Sequence, residues 1–315
     1  MVTGEYDVLV VGSIVTDFVS YTRRFPNPGE SVRGDWFSCA CGGKGANQAV
    51  MAGRLGARAA MVGKVGNDMF GKAHLENFAS NGVNADHVTT TEEARTATAS
   101  ITVNEAGQNS IAVVLGANLL LTADDVRRAE PMLAKTRVVV CQLETTEEAS
   151  LETLKLAKKH GATTIFNPAP DPPGGISNPE FYQYTDVVCP NEHEAECIMG
   201  FAMRTDHDID RALAQFLDRG VKAVVITLGE RGVAFATTDH KTPRRVQVPR
   251  VKAVDVTGAG DAFVGSLAYF TACMPHLPLE DRIRRACQIA AISVQSAGTQ
   301  ESYPRREHIP AEIMQ

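Results

Sequence analysis

The segment DVLVVG at 7–12 is a short unbroken apolar run that stops at glycine, the pattern of a strand buried on both faces of a parallel sheet. The same pattern returns at 59–66 (AAMVGKVG), 137–143 (RVVVCQL), 162–168 (ATTIFNP), 186–190 (DVVCP) and 222–229 (KAVVITLG). Between these runs lie stretches with helical spacing at 45–56, 146–161, 192–200 and 208–220. Leu151, Leu154 and Ala157 share one face of the second stretch, and Ile209, Leu213, Phe216 and Leu217 share one face of the last. Several of them stop at a glycine, as helix C-termini prefer. Strand–helix alternation of this kind predicts an α/β fold: a three-layer αβα, Rossmann-like sandwich around a mainly parallel sheet.

Two regions break the rhythm. Residues 18–40 and 96–115 alternate polar with apolar positions and carry turn residues, and Asn104–Gly107 has the composition of a hairpin loop. They predict a small antiparallel sheet that projects from the core as a lid. No internal repeat or long linker divides the chain, so residues 1–315 are expected to form a single domain. GRLG (53–56) and PDPPGG (170–175) are read as turns.

Composition narrows the classes of function. Among 315 residues, 44% are hydrophobic and 22% charged, with a formal net charge of −6, which suits a globular protein with a large core. No run of Lys or Arg exceeds two residues, so nucleic acid is not an expected partner. No apolar stretch approaches the roughly 20 residues that span a bilayer, and the N-terminus has no signal-peptide pattern. The seven cysteines include no C-x-x-C pair, which points to reduced thiols and a cytoplasmic setting. Cys141, Cys189 and Cys287 read as small buried hydrophobes, and the face Ile283, Ala286, Cys287, Ala290, Ala291, Val294 as core packing.

The candidate chemistry sits in two glycine-rich motifs. Asp255-Val-Thr-Gly-Ala-Gly-Asp261 opens an apolar helix. The unpaired N–H groups of such a helix start attract phosphate, and a carboxylate beside them can accept a proton from an incoming hydroxyl. A glycine turn with an Asp cap is the bland alternative. Gly42-Gly-Lys-Gly-Ala-Asn-Gln48 also enters a helix, with Lys44 and Asn47 as donors and acceptors for hydroxyl groups. It is not a Walker loop, because Lys44 is followed by Gly45 and not by Ser or Thr. The first strand ends in Gly12-Ser-Ile-Val-Thr, which lacks the G-x-G-x-x-G of dinucleotide enzymes. Asp17 and Glu144 follow apolar strands, where α/β sheets bind ligands. His193 has no second histidine at helical spacing and is read as a helix-start residue.

GGKGANQA together with D-x-TGAGDAF resembles the two hallmark motifs of the ribokinase family of carbohydrate kinases. The likeness runs from VVGSIVTD near the N-terminus to VQSAGTQESYP near the C-terminus. It implies transfer of a phosphoryl group from ATP, with Mg²⁺, to the 5-hydroxyl of D-ribose. By this resemblance Asp261 is the catalytic base, and Gly258, Ala259 and Gly260 form an anion hole. Asp17, Gly43, Lys44, Gly45, Asn47 and Glu144 would hold the sugar with Asp261. Asn191, Glu194, Thr227, Gly229, Gly232 and Gly260 would serve the nucleotide and its magnesium. Asp255, Thr257, Ser293, Ser296, Gly298 and Ser302 would ring an activating K⁺. The two strand-rich insertions are further expected to form a lid over the sugar and to pair two subunits into a homodimer through their apolar exposed edges. In two places the chain departs from the pattern: Val15 stands where bacterial members usually carry Asn, and Cys287 where an adenine-side Asn is common. Another furanose or a nucleoside as acceptor, or a silent sugar or nucleotide sensor, remain the alternatives.

Overall fold

Val8 and Val10 point to one face of the central sheet and Leu9 and Val11 to the other, and all four are buried to within 1%. That two-sided burial is what an unbroken apolar strand demands. In the computed structural model, which describes residues 5–171, 175–176 and 178–315, thirteen strands form two sheets. In chain order they begin with β1 (Tyr6–Val11), β2 (Val15–Thr22), β3 (Gly34–Gly42), β4 (Ala59–Gly66) and β5 (Val83–Thr91). Then come β6 (Ala97–Val103), β7 (Asn109–Val114), β8 (Thr136–Cys141) and β9 (Thr163–Phe166). The last four are β10 (Val187–Val188), β11 (Ala223–Thr227), β12 (Val233–Thr237) and β13 (Arg244–Val246). The large sheet runs β13-β12-β11-β10-β9-β8-β1-β4-β5, parallel from β11 to β5 and antiparallel at the β12 and β13 edge.

Helices cover both faces. They are α1 (Lys44–Arg54), α2 (Met69–Ser80), α3 (Ala123–Arg128), α4 (Glu130–Leu133), α5 (Glu147–Lys159) and α6 (Glu180–Gln183). The rest are α7 (Glu192–Met199), α8 (Asp206–Asp218), α9 (Ala259–Cys273), α10 (Leu279–Ser293) and α11 (Ala311–Met314). α1, α9 and α10 pack with Val8 and Val10, whereas α3 and α5 pack with Leu9 and Val11. Local signals agree with these bounds. Thr146 caps α5 by accepting from the Ala149 N–H, with Glu147 and Glu148 in its first turn and Lys158 and Lys159 in its last. Thr205 and Asp208 form a reciprocal capping box on α8. All six apolar runs are strands of the large sheet, which gives the expected three-layer αβα architecture. The turn read at PDPPGG lies partly outside the described residues.

The lid differs in two ways from the expectation. Its order is β3-β2-β6-β7, and the central pair β2–β6 is parallel, with antiparallel strands on either side. β1 and β5 run the same way in the large sheet, and each enters the lid from its carboxyl end, so β2 and β6 must run together. The lid also begins at Val15 and its second strand ends at Gly42, beyond the 18–40 bounds. Asp17 therefore lies inside the first lid strand and not in a loop after β1. The hairpin is as expected: the Asn104 carboxamide oxygen accepts from Ala106 and Gln108, and Gly107 takes φ 75°.

The two motif helices cross closely at Gly265 of α9. A Cβ there would stand 2.6 Å from the Gln48 carbonyl oxygen and 2.8 Å from Met51 Cβ, both on α1. Only hydrogen fits at that crossing. Gly265→Ala is therefore expected to push α1 from α9 and cost about 1–3 kcal/mol of stability, read from the urea midpoint. An unchanged midpoint would show that the crossing is loose.

Candidate active site

Asp261 is the third residue of α9 and is buried. Its two carboxylate oxygens accept separate hydrogen bonds, from Asn47 Nδ2 at 2.9 Å and from Gln48 Nε2 at 2.9 Å. Both donors come from the first turns of α1, so the two motifs meet head to head. The amides are themselves held: Gln300 Nε2 donates to Asn47 Oδ1 at 2.9 Å, and Gln142 Nε2 donates to Gln48 Oε1 at 2.6 Å. Gln48 Nε2 also reaches Asn167 Oδ1 at 3.0 Å. A carboxylate fixed at both oxygens by braced carboxamides has one orientation.

The start of α9 carries no side-chain cap. Its place is taken by Gly258, which adopts φ 74° and whose carbonyl accepts from the Tyr303 hydroxyl at 2.9 Å. A Cβ on Gly258 would lie 2.4 Å from Thr299 Cγ2, so no other residue fits. A Cβ on Gly260 would meet nothing within 4 Å, because this residue faces an open cleft. Ala259 lies between them as the first residue of α9.

The start of α1 is built differently. Gly43 takes φ 91°, and the Gly45 N–H donates to Ser13 Oγ at 3.2 Å while Ala46 N–H donates to the Ser13 carbonyl. A Cβ on Gly45 would come within 2.6 Å of the Ser13 amide. Gly43 and Gly45 thus seat α1 against the end of β1, and Lys44 projects from between them. Glu144 joins this corner, accepting from the Lys44 backbone N–H at 3.1 Å and from the Ser13 hydroxyl.

Four carboxylates surround Lys44. Burial pushes its pKa down, but Asp261, Glu144, Glu194 and Asp17 outweigh it and hold the ammonium above its ordinary range. Burial raises Asp17 to about 7, with Glu144, Glu301 and Asp261 adding to the effect. Burial likewise raises Glu194 to about 7, against opposing contributions from the Asn191 backbone hydrogen bond and from Lys44. The corner carries more negative charge than its lysine balances.

A cleft of about 180 Å³ opens beside Asp261, walled by Lys44, Asn191, Glu194, Thr227, Gly258 and Gly260. Asn167, Ala169 and Cys189 complete the carboxyl ends of β9 and β10, so the cleft lies where parallel sheets bind ligands. Asn191 caps α7 in a capping box: its carboxamide oxygen accepts from the Glu194 N–H, and its own N–H groups donate to the Glu194 carboxylate, each at 2.8 Å. Gly229 and Gly232 belong to the turn after β11 and are absent from the cleft wall, Gly232 being pressed on the Val246 carbonyl. A larger hollow of about 460 Å³ lies on the lid around Asp35 and Trp36, away from the carboxylates, and offers nothing for this chemistry.

The residues from 255 to 257 and from 293 to 302 do come together. The Asp255 carboxylate accepts from the backbone N–H groups of Thr257 at 2.9 Å and Gly298 at 3.0 Å, and Val254 N–H donates to the Val294 carbonyl. Ser293 and Ser302 hydroxyls donate to the carbonyls of Ala290 and Thr299, and Ser296 is exposed nearby. Sequence reasoning therefore missed chiefly the bracing side chains: Ser13, Gln48, Gln142, Asn167 and Gln300. Ser13, Gln48 and Gln300 stood inside the quoted motifs VVGSIVTD, GGKGANQA and VQSAGTQESYP, which was the one available signal.

The sequence profile of the pfkB family carbohydrate kinases matches residues 6–306. Mouse ribokinase is 46% identical over 303 residues, spanning 96% of this chain and 93% of that protein. A deoxyribokinase of Salmonella typhi is 36% identical over 303 residues, spanning 96% of each. Among solved structures, Arabidopsis thaliana ribokinase complexed with ribose and ATP aligns with a TM-score of 0.88 at 29% identity, covering 100% of this chain and 99% of that one.

The raised carboxyl of Asp17 has a consequence for stability. Its folded pKa of about 7 exceeds the ordinary 3.8, so the folded chain binds this proton more tightly than the unfolded chain. The resulting stability is full below the ordinary value and is lost as pH rises through about 7. Asp17→Asn removes the effect, so the variant is expected to exceed the parent in stability by up to about 4 kcal/mol in alkaline buffer, the gap closing as pH falls. Denaturant melts of both proteins across neutral pH measure it, and a gap independent of pH would contradict the burial of this charge.

Proposed function

The chain belongs to the pfkB family of carbohydrate kinases, and we propose that it transfers the γ-phosphoryl of ATP to the 5-hydroxyl of D-ribose. The observation that carries this reading is that Asp261, held at both oxygens by Asn47 and Gln48, lines one cleft with Lys44, Asn191, Glu194, Thr227 and the start of α9. Asp17 and Glu144 are close enough to act on the same ammonium, and we read Asp17, Asn47, Glu144 and Lys44 as the groups that hold the sugar hydroxyls. A sugar held by carboxylates and amides presents its hydroxyl to Asp261, whose oxygens each keep a lone pair beyond the amide bonds. Asp261 takes the proton as the oxygen attacks the phosphorus, and the N–H groups of Gly258, Gly260 and Asp261 meet the charge on the transferred group, whereas the Ala259 N–H of the expected anion hole is taken by the Val256 carbonyl at 3.2 Å. Gly229 and Gly232 shape the turn that follows Thr227, beside the nucleotide.

Two cations fit the donor sets. The four carboxylates already exceed Lys44, so a triphosphate entering this corner needs added positive charge. Mg²⁺ suits the Asn191–Glu194 pair and would neutralise the phosphates. K⁺ suits the oxygen-rich ring of Asp255, Thr257, Ser293, Ser296, Gly298 and Ser302, where it would add positive potential next to α9. Asp255 joins both loops of that ring, so it would pass their geometry on to Gly258.

Val15 supports a second reading, in which 2-deoxyribose is also an acceptor. It sits two residues before Asp17 on the same face of β2 and is buried with Ala97 and Ala99. An apolar side chain at this position offers no partner to a sugar hydroxyl, so losing that hydroxyl leaves no buried polar group unpaired.

Further support bears on assembly and setting. All seven cysteines are free thiols, which favours the reducing cytoplasm. Among the described residues no helix is long and apolar enough to cross a membrane. Trp36 is 67% exposed and Val114 65%, at opposite edges of the lid, as a homodimer paired through lids requires.

Asp261→Asn is expected to lower kcat about a thousandfold while ATP affinity stays within a few-fold. Coupled ADP-release kinetics and calorimetry measure the two quantities, and retained turnover would remove Asp261 as the base. Run on ribose, deoxyribose and adenosine with K⁺ or Na⁺, the same assay is expected to favour ribose and K⁺. Turnover of adenosine alone would replace ribose by a nucleoside, and indifference to the monovalent ion would remove K⁺. Light scattering at micromolar concentration is expected to give twice the chain mass, and Trp36→Glu is expected to return it to the monomer. A monomeric parent protein would exclude the dimer.

A further inference from the structure

His193 and Cys197 are four residues apart on α7, so their side chains rise from the same face of that helix. The chain leaving β9 carries Asp171 to the same point. Asp171 Oδ2 lies 3.7 Å from His193 Nε2 and 3.8 Å from Cys197 Sγ, and the sulfur lies 4.0 Å from His193 Nε2. Three different ligand atoms thus stand at the corners of one nearly equilateral triangle. In a tetrahedral zinc site with ordinary bond lengths the ligand atoms are about 3.3–3.6 Å apart. The triangle needs to contract by only a few tenths of an ångström. Its other ring nitrogen, His193 Nδ1, lies 3.7 Å from Glu196 Oε2, and Glu196 is itself held by the Met203 N–H at 2.6 Å. A carboxylate behind the imidazole is the arrangement that orients a metal-bound histidine.

We propose that Asp171, His193 and Cys197 form a surface site for one borderline divalent cation of the Zn²⁺ type, with its fourth position open to water. Thiol, imidazole and carboxylate together select such an ion over Mg²⁺, which prefers oxygen alone. Binding forms a metal–sulfur bond and breaks the S–H bond of Cys197, whose proton passes to solvent. The site is separate from the divalent site read at Asn191 and Glu194. Glu194 turns into the cleft, whereas His193 and Cys197 look outward. The two are nevertheless joined mechanically. Ala169, two residues before Asp171, walls the cleft, so an ion here would staple that wall to α7.

The test is a titration of the metal-free full-length protein with Co²⁺ alone under reducing conditions. One equivalent is expected to produce a thiolate-to-cobalt charge-transfer band and intense visible bands of a four-coordinate ion, which Zn²⁺ then abolishes. Cys197→Ser and His193→Ala are expected to lose the band, and Asp171→Asn to weaken cobalt binding at least tenfold. Glu194→Gln is expected to keep the band, which separates this site from the cleft whether or not the kinase reading holds. Circular dichroism confirms that each variant is folded. No charge-transfer band in the parent protein would overturn the proposal, and so would a band that persists in Cys197→Ser, since another thiol would then be the ligand.

Discussion

The hydrogen bonds from Asn47 and Gln48 to Asp261 join two helices that are more than 200 residues apart in the chain. Everything at the site is referred to that junction. It aims the mouth of α9 and the end of α1 at one point, and it fixes the carboxylate at both oxygens. Gly265 permits the approach, Gly45 seats α1 on Ser13, and Gln142 and Gln300 keep the two amides from rotating. A rigid polar junction of this sort is costly to bury unless each member is paired. Here each member that touches Asp261 has its second partner.

Charge is the second organising constraint. Burial raises Asp17 and Glu194 to about 7, and both face the same lysine. Like charges are therefore crowded in this corner, and a cation or a hydrogen-bond donor brought there would ease the crowding. Folding stability is spent to keep a site ready for polar and charged substrates, a common exchange in enzymes.

Much of this was legible in the chain itself. Strands buried on both faces announce themselves as unbroken apolar runs, and β1, β4, β8, β9, β10 and β11 all do so. The edge strand β5, VNADHVTTT, does not, because it mixes buried with half-covered and exposed positions and carries polar residues throughout. β13, RRV, hides in the same way, whereas β12, VAFAT, is a short buried apolar run that follows the Gly229–Gly232 turn so closely that it does not stand out from β11. Lys44, Asn47 and Asp261 could be named because glycines and a helix start flank them. Gln142 and Asn167 could not: a buried carboxamide has no spacing of its own, and only the fold decides what it braces. His193 shows the converse. With no second histidine in reach along the sequence it is an ordinary helix-start residue, until the chain leaving β9 brings Asp171 beside it and α7 adds Cys197.

The root of the lid has a mechanical meaning. Between β1 and β2 only three residues intervene, and both backbone groups of Ile14 are clasped by the Asn118 carboxamide, which donates to its carbonyl and accepts from its N–H. A sheet fastened so firmly at one end behaves as a cantilever. Its free tip, with Trp36 and the Asn104–Gln108 turn, would travel furthest in any deflection, while Asp17, three residues from the clamp, would hardly shift. The Asp17 carboxylate would thus stay in register through every excursion of the sheet beyond it.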